Sequence, residues 1–217
     1  MNRKQLINLI AEGENFTTEF KQRFSSHEKI AKEIIAFANS KGGVILFGID
    51  DDSSIYGVDS EKEVTELIKE TIINYCEPKV QFEILFFELE NKEIVVLIIP
   101  ESKNKPHRIQ DYLPKIDLNN AQVYIRVNDK SVLASKEMIK ILITQTNDAK
   151  LKNYSIGKNE KLVFEYLDKN DFITAKQLSD LANLSSRRAS RTLINLVRAN
   201  ILAIHTKDNG ENYFSNI

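Results

Sequence analysis

Apolar positions along this chain recur with two periods, and the switch between them marks the elements. Leu6, Ile7, Leu9 and Ile10 give one side to a helix over Arg3–Glu12. After a polar stretch, Thr18–Lys21 reads as a short strand. Ile30, Ile34, Phe37 and Ala38 recur at helical spacing from His27 to Lys41, and Gly42-Gly43 supplies the stop. Val44–Ile49 is a continuous apolar run with β-branched members, the mark of a buried strand. The Asp50–Ser54 cluster is a turn, and Ile55–Val58 returns as a short strand. Ser60 caps a helix over Ser60–Glu77 with Glu63 three residues on, and Pro78 follows its end. Val80–Leu89 and Glu93–Ile99 form a hairpin about Glu90-Asn91-Lys92. A loop over Pro100–Asn120 precedes a strand at Gln122–Val127 and a helix at Ser135–Gln145.

Beyond Asn147 the period changes again. Asn147–Gly157 is polar and poor in apolar residues, so it reads as a linker between a domain at 1–146 and another at 158–217. Glu160–Leu167, Ala175–Ala182 (N-capped by Thr174) and Ser186–Asn200 read as three helices. Leu202–His205, a turn at Asp208–Gly210 and Asn212–Phe214 complete a hairpin. Helix, helix-turn-helix and hairpin is the winged-helix order. The whole is expected to be α+β: an N-terminal antiparallel or mixed sheet flanked by helices, then a C-terminal winged helix-turn-helix.

With 42% hydrophobic and 28% charged residues in 217, both parts have material for a core. The longest apolar run, Ile94–Ile99, is too short to cross a bilayer. The charged start at Met1–Leu6 lacks the pattern of a signal peptide. A lone Cys76 rules out an internal disulfide and is expected as a half-buried helix residue. A cytoplasmic protein without membrane attachment is expected.

Net charge is −1, unevenly distributed. From Met1 to Thr146, 19 Lys and Arg face 23 Asp and Glu, whereas from Lys158 onward 9 face 7. Contact with a polyanion therefore needs a local basic surface. The last helix offers one. Ser185, Ser186, Arg187, Arg188, Ser190, Arg191 and Asn195 are expected outward, and Ala189, Leu193, Ile194 and Val197 inward. Hydroxyls and guanidinium groups at a helix N-terminus suit phosphates and major-groove base edges. The same face also suits plain solubility or a protein contact.

The N-terminal part carries Glu14-x4-Glu19-Phe20-Lys21, then Ala36-Phe37-Ala38-Asn39-Ser40-x-Gly42-Gly43 running to Gly48-Ile49-Asp50-Asp51, Ile55-Tyr56-Gly57, Lys105-Pro106-His107 and Tyr124-Ile125-Arg126. This resembles the Schlafen-type AlbA domain family from about Glu12 to Gln145, whose bacterial members often carry a C-terminal winged helix. The resemblance implies a nucleic-acid-binding protein, a DNA-binding transcriptional regulator first of all, with RNA as the other ligand and a homodimer as the expected assembly. It also implies an alternative. In some animal relatives a carboxylate trio with a nearby lysine cleaves RNA with a divalent metal. Here Glu14, Glu19 and Asp50 (or Asp51) would hold Mg²⁺ or Mn²⁺, with Lys21 beside them. Read from the residues alone, Glu14 and Glu19 pair with Lys21 or Arg23. Arg126 is open between phosphate contact and pairing with an acid across the sheet, Lys105 is expected to contact nucleic acid, and the Pro106-His107-Arg108 loop is expected near the nucleic-acid face. Gly42-Gly43 is read as a fold requirement, and Asn39 as a turn-backbone partner. Ser40-Lys41-Gly42-Gly43 lacks the G-x-x-x-x-G-K-[ST] phosphate cradle, so ATPase or helicase chemistry is not expected. A protein-interaction adaptor is the third possibility.

Overall fold

The computed structural model describes residues 1–146 and 155–217, which divide into two compact units, Met1–Leu133 and Ala134–Ile217. The predicted linker lies largely outside the described residues. No described helix is long and apolar enough to cross a membrane.

In the first unit, α1 (Arg3–Glu12), β1 (Thr18–Lys21), α2 (His27–Asn39), β2 (Gly42–Phe47) and α3 (Glu61–Tyr75) precede β3 (Cys76–Glu77), β4 (Glu83–Leu89), β5 (Lys92–Pro100), β6 (Arg108–Ile109), β7 (Tyr124–Val127) and β8 (Lys130–Leu133). The main sheet has the order β1-β2-β5-β4; β1 runs parallel to β2, and the other pairs are antiparallel. It is therefore a mixed sheet flanked by helices. Alternation along the strands divides its apolar residues between two faces. Ile45, Phe47, Val95, Leu97 and Ile99 pack under α2 and α3, while Leu46, Ile94 and Val96 pack with Leu6 and Ile10 of α1.

Local chemistry sets the helix ends. Asn2 and Gln5 form a capping box on α1, and Ser26 and Ser60 cap α2 and α3 through their side chains. At Gly43 a Cβ would lie 2.4 Å from Phe37 Cδ1 and 2.6 Å from the Thr17 carbonyl oxygen, so the chain passes there only as glycine. Gly42, at φ +75°, makes the turn into the strand.

The short pairs β3–β6 and β7–β8 lie outside the main sheet. Cys76 belongs to β3 rather than to the helix before it. It is buried, and burial pushes its thiol up to about 12.

The second unit contains α4 (Lys136–Thr146), α5 (Lys158–Leu167), α6 (Ala175–Ala182), α7 (Ser186–Arg198) and an antiparallel hairpin of β9 (Leu202–Thr206) and β10 (Asn212–Asn216). Its core joins Val163, Leu167, Leu178, Ala189, Leu193, Leu196, Leu202 and Phe214, and Ile173 bridges Phe214 in a third short pairing. The sequence reading assigns α4 to the N-terminal domain, but α4 stands in this unit. Ser190 Oγ donates to Glu137 Oε1 at 2.6 Å, and Asn212 Nδ2 donates to Ser135 Oγ at 2.5 Å.

Candidate functional site

Two sets of residues carry the candidate chemistry, one in each unit. In the first, β1 brings Glu19 and Lys21 to the sheet edge, and Glu14 folds back so that its Oε1 accepts the Phe20 amide at 2.7 Å. Glu19 Oε1 receives Lys21 Nζ at 2.5 Å. Glu19 Oε2 receives Arg126 Nη1 at 2.9 Å. Arg126 also reaches Glu33 Oε2 at 3.0 Å and the Asn15 carbonyl at 2.9 Å, and its guanidinium lies 4.6 Å over the Phe37 ring. Glu33 accepts in addition from the Ser131 hydroxyl.

The Arg126 side chain is 0% exposed. A guanidinium in that position has no path to a phosphate, so of the two roles open to Arg126 the structure assigns internal pairing. Its charge is held on α2, β1 and β7–β8 together. Lys105 is similar, donating to Glu101 at 2.7 Å and to the Ser40 carbonyl at 2.9 Å. Arg126, expected as a nucleic-acid contact, is thus an internal ion-pair partner.

The three-carboxylate arrangement does not form either. Asp50 Oδ2 is occupied by Gln22 Nε2 at 2.7 Å and Oδ1 by the Asp51 amide at 2.9 Å, while Asp51 is exposed. Among the described residues, no three His, Cys, Asp or Glu side chains are grouped as a metal ion needs. Both oxygens of Glu19 and of Asp50, and Oε1 of Glu14, are directed at protein donors. Partial burial raises the Glu14 carboxyl above the ordinary range; the Phe20 amide opposes this, and Glu19 and Asp51 add to it. Burial is also the main cause of the upward shift at Glu33, with the charge of Glu19 adding to it.

The Pro106-His107-Arg108 segment turns inward rather than lining an outer face. His107 is 1% exposed, with Nδ1 2.7 Å from the Pro78 carbonyl and Nε2 2.7 Å from Ser102 Oγ. Burial holds its imidazole below the usual histidine range. Arg108 is paired with Glu77 and Asp111. Asn39 does more than close a local turn. Its amide nitrogen donates to the His107 and Tyr124 carbonyls at 2.8 and 2.9 Å, and its Oδ1 accepts the His107 amide at 2.7 Å.

Sequence reasoning passed over Glu33 and Ser131. Glu33 lies one helical turn before Phe37, the ring on which Arg126 rests, and that i,i+4 spacing was the available signal.

In the second unit, α7 separates its faces. Ala189, Leu193, Ile194 and Leu196 are buried, while Ser185, Ser186, Arg187, Arg188 and Arg191 are exposed. Ser190 was expected outward but is 6% exposed, because α4 covers it. Among the described residues Arg187, Arg188 and Arg191 make no ion pair. Ser185 stands at the N-cap without a side-chain cap bond, its carbonyl receiving the Arg188 and Ala189 amides. The Ser186 and Arg187 amides therefore point out of the helix end, where the helix dipole adds partial positive charge to that of the arginines. Such an end suits an anion.

The sequence profile of the Schlafen, AlbA_2 family matches residues 14–135. A protein of Ureaplasma parvum described as an uncharacterized ATP-binding protein is 38% identical over 87 residues, covering 37% of this chain and 24% of that protein. The chain thus spans about a quarter of that relative's length. Among solved structures, the N-terminal domain of a RecG-related protein from Nitrosomonas europaea aligns with a TM-score of 0.40 at 23% identity, over 51% of this chain and 84% of that one. The DIP2311 protein of Corynebacterium diphtheriae aligns with a TM-score of 0.45 at 14% identity, over 70% of this chain and 32% of that one.

Proposed function

The chain belongs to the Schlafen, AlbA_2 family, and from that premise we propose that it is a nucleic-acid-binding protein whose second unit is a winged helix that engages duplex DNA. The observation that carries this reading is the outer face of α7, where Arg187, Arg188 and Arg191 stand exposed and without ion-pair partners among the described residues beside an uncapped helix N-terminus. Three guanidinium groups over about one helical turn match the spacing of phosphates along a groove and offer bidentate donors to guanine edges. The role is that of a transcriptional regulator working as a homodimer. RNA is the competing ligand. The carboxylates of the first unit serve the fold in this account, since their oxygens are taken by Lys21, Arg126, Gln22 and backbone amides.

Gel-shift titrations with duplex DNA, single-stranded DNA and transfer RNA test it, each run with Mn²⁺ and with EDTA. A shift of intact duplex that weakens when Arg187 and Arg188 are both replaced by alanine supports the reading. Metal-dependent fragments that vanish in Glu19→Gln would replace it with a nuclease, and no shift with any ligand would leave an adaptor.

A further inference from the structure

The outer edge of β4 is a long apolar feature of the first unit with no part in the proposed DNA contact. β4 closes the main sheet in the order β1-β2-β5-β4, and among the described residues no strand pairs with its free side. Its seven residues, Glu-Ile-Leu-Phe-Phe-Glu-Leu, include no proline or lysine, and no bulge interrupts their register with β5. Natural sheets rarely leave such an edge bare, because its unpaired amides and carbonyls template another strand. Side chains on both faces reinforce this. Ile84 and Phe86 lie on the face covered by α2 and α3, Leu85 and Phe87 on the α1 face, and Phe86 is 49% exposed. The apolar strip continues beyond the strand, where Val80, Phe82, Ile98 and Pro100 line an open groove and Phe82 is 38% exposed.

We infer that β4 is the dimer interface, pairing antiparallel with β4 of a second copy so that two four-stranded sheets become one. The strand is self-complementary, which fits a second copy as its partner. An antiparallel pair related by a two-fold axis must cross at a residue that faces its own copy. The register that pairs all of Glu83–Leu89 crosses at its midpoint, Phe86. Leu85 then faces Phe87, Glu83 faces Leu89 and Glu88 faces Ile84, so no carboxylate meets a carboxylate. Aromatic and aliphatic cross-strand pairs occupy the centre, where they stabilise a sheet most. The two acids stay at the ends, where water reaches them. The inference stands independently of nucleic-acid binding.

Multi-angle light scattering on the full chain tests it, with Phe86→Lys and Phe86→Cys variants. The expected result is a wild-type mass of twice 24.9 kDa. Phe86→Lys is expected to run as a monomer with unchanged circular dichroism. In the crossing register, opposed Cα atoms lie about 4.5–5.5 Å apart, within disulfide range, so Phe86→Cys is expected to cross-link to a covalent dimer under mild oxidation. Cys76, buried, does not compete. A monomeric wild type, including one that pairs its edge with a strand of another protein, overturns the inference. So does a dimer that Phe86→Lys leaves intact and Phe86→Cys fails to cross-link.

Discussion

Arg126 Nη1 and Glu19 Oε2 lie 2.9 Å apart with the guanidinium fully buried, joining two positions 107 residues apart. The pair, shared with Glu33, ties β1 and α2 to the β7–β8 hairpin. Taking one partner of such a pair away leaves the other charge in a desolvated site, which costs about 3–5 kcal/mol. Arg126→Ala, which strands two carboxylates, is expected to lose stability in that range by urea unfolding. Glu19→Gln, which keeps an acceptor for Arg126, is expected to lose less. A loss below about 1 kcal/mol for Arg126→Ala would show that the clamp contributes little.

Asn39 provides the second long-range tie. Its three hydrogen bonds satisfy backbone groups of the buried His107 segment and of β7, and each buried group left unpaired costs about 1–3 kcal/mol. Asn39→Ala is expected to destabilise the first unit by at least about 2 kcal/mol by urea unfolding. Asn39→Asp removes two donors and sets a carboxylate against two carbonyls, so it is expected to be the worse of the two.

Gly43→Ala is expected to destabilise by about 1–3 kcal/mol, the usual range for forcing atoms into a packed core. The added carbon would meet both the Phe37 ring and the Thr17 carbonyl. Pairing it with Phe37→Leu is expected to recover part of the ring's share of that loss, measured by the same unfolding curves.

His107 supplies a pH dependence. Burial lowers its imidazole below the ordinary 6.5, so as pH falls through that region the unfolded chain binds more proton at this site than the folded chain does. Its contribution to stability is therefore present above about pH 6.5 and lost as pH falls through the lowered folded value. Melting temperature is expected to drop between pH 7 and pH 5, with a shallower slope in His107→Gln. Equal slopes in the two proteins would remove this histidine from the account.

The parts of this fold legible in the sequence are those set by local chemistry. Ser60 with Glu63, Thr174 as an N-cap and the spacing of Ile30, Ile34 and Phe37 mark their helices directly, and the apolar run through Phe47 marks a central strand. The two-residue pair of Cys76–Glu77 with Arg108–Ile109 is too short to have a period, and its partners lie about thirty residues apart. β8, Lys130–Leu133, begins in a polar turn and gives no apolar run to read. The burial of Arg126, His107 and Ser190 depends on distant elements closing over them, so residue type alone pointed outward. Glu14, Glu19 and Asp50 have the types a metal site uses, but only their neighbours reveal that the oxygens are occupied. The arginine face of α7 was legible because a 3.6-residue period separates Arg187, Arg188 and Arg191 from Ala189, Leu193 and Ile194 within one helix.

The most direct test of the central claim is the salt dependence of duplex DNA binding, followed by fluorescence anisotropy for the wild-type chain and for a variant with Arg187 and Arg188 both changed to alanine. Each phosphate contact contributes about 0.9 to the slope of log affinity against log salt. The account predicts weaker binding at every salt concentration and a slope shallower by about 2 in the variant. An unchanged affinity and an unchanged slope would contradict it, and would place the DNA contact elsewhere than on α7.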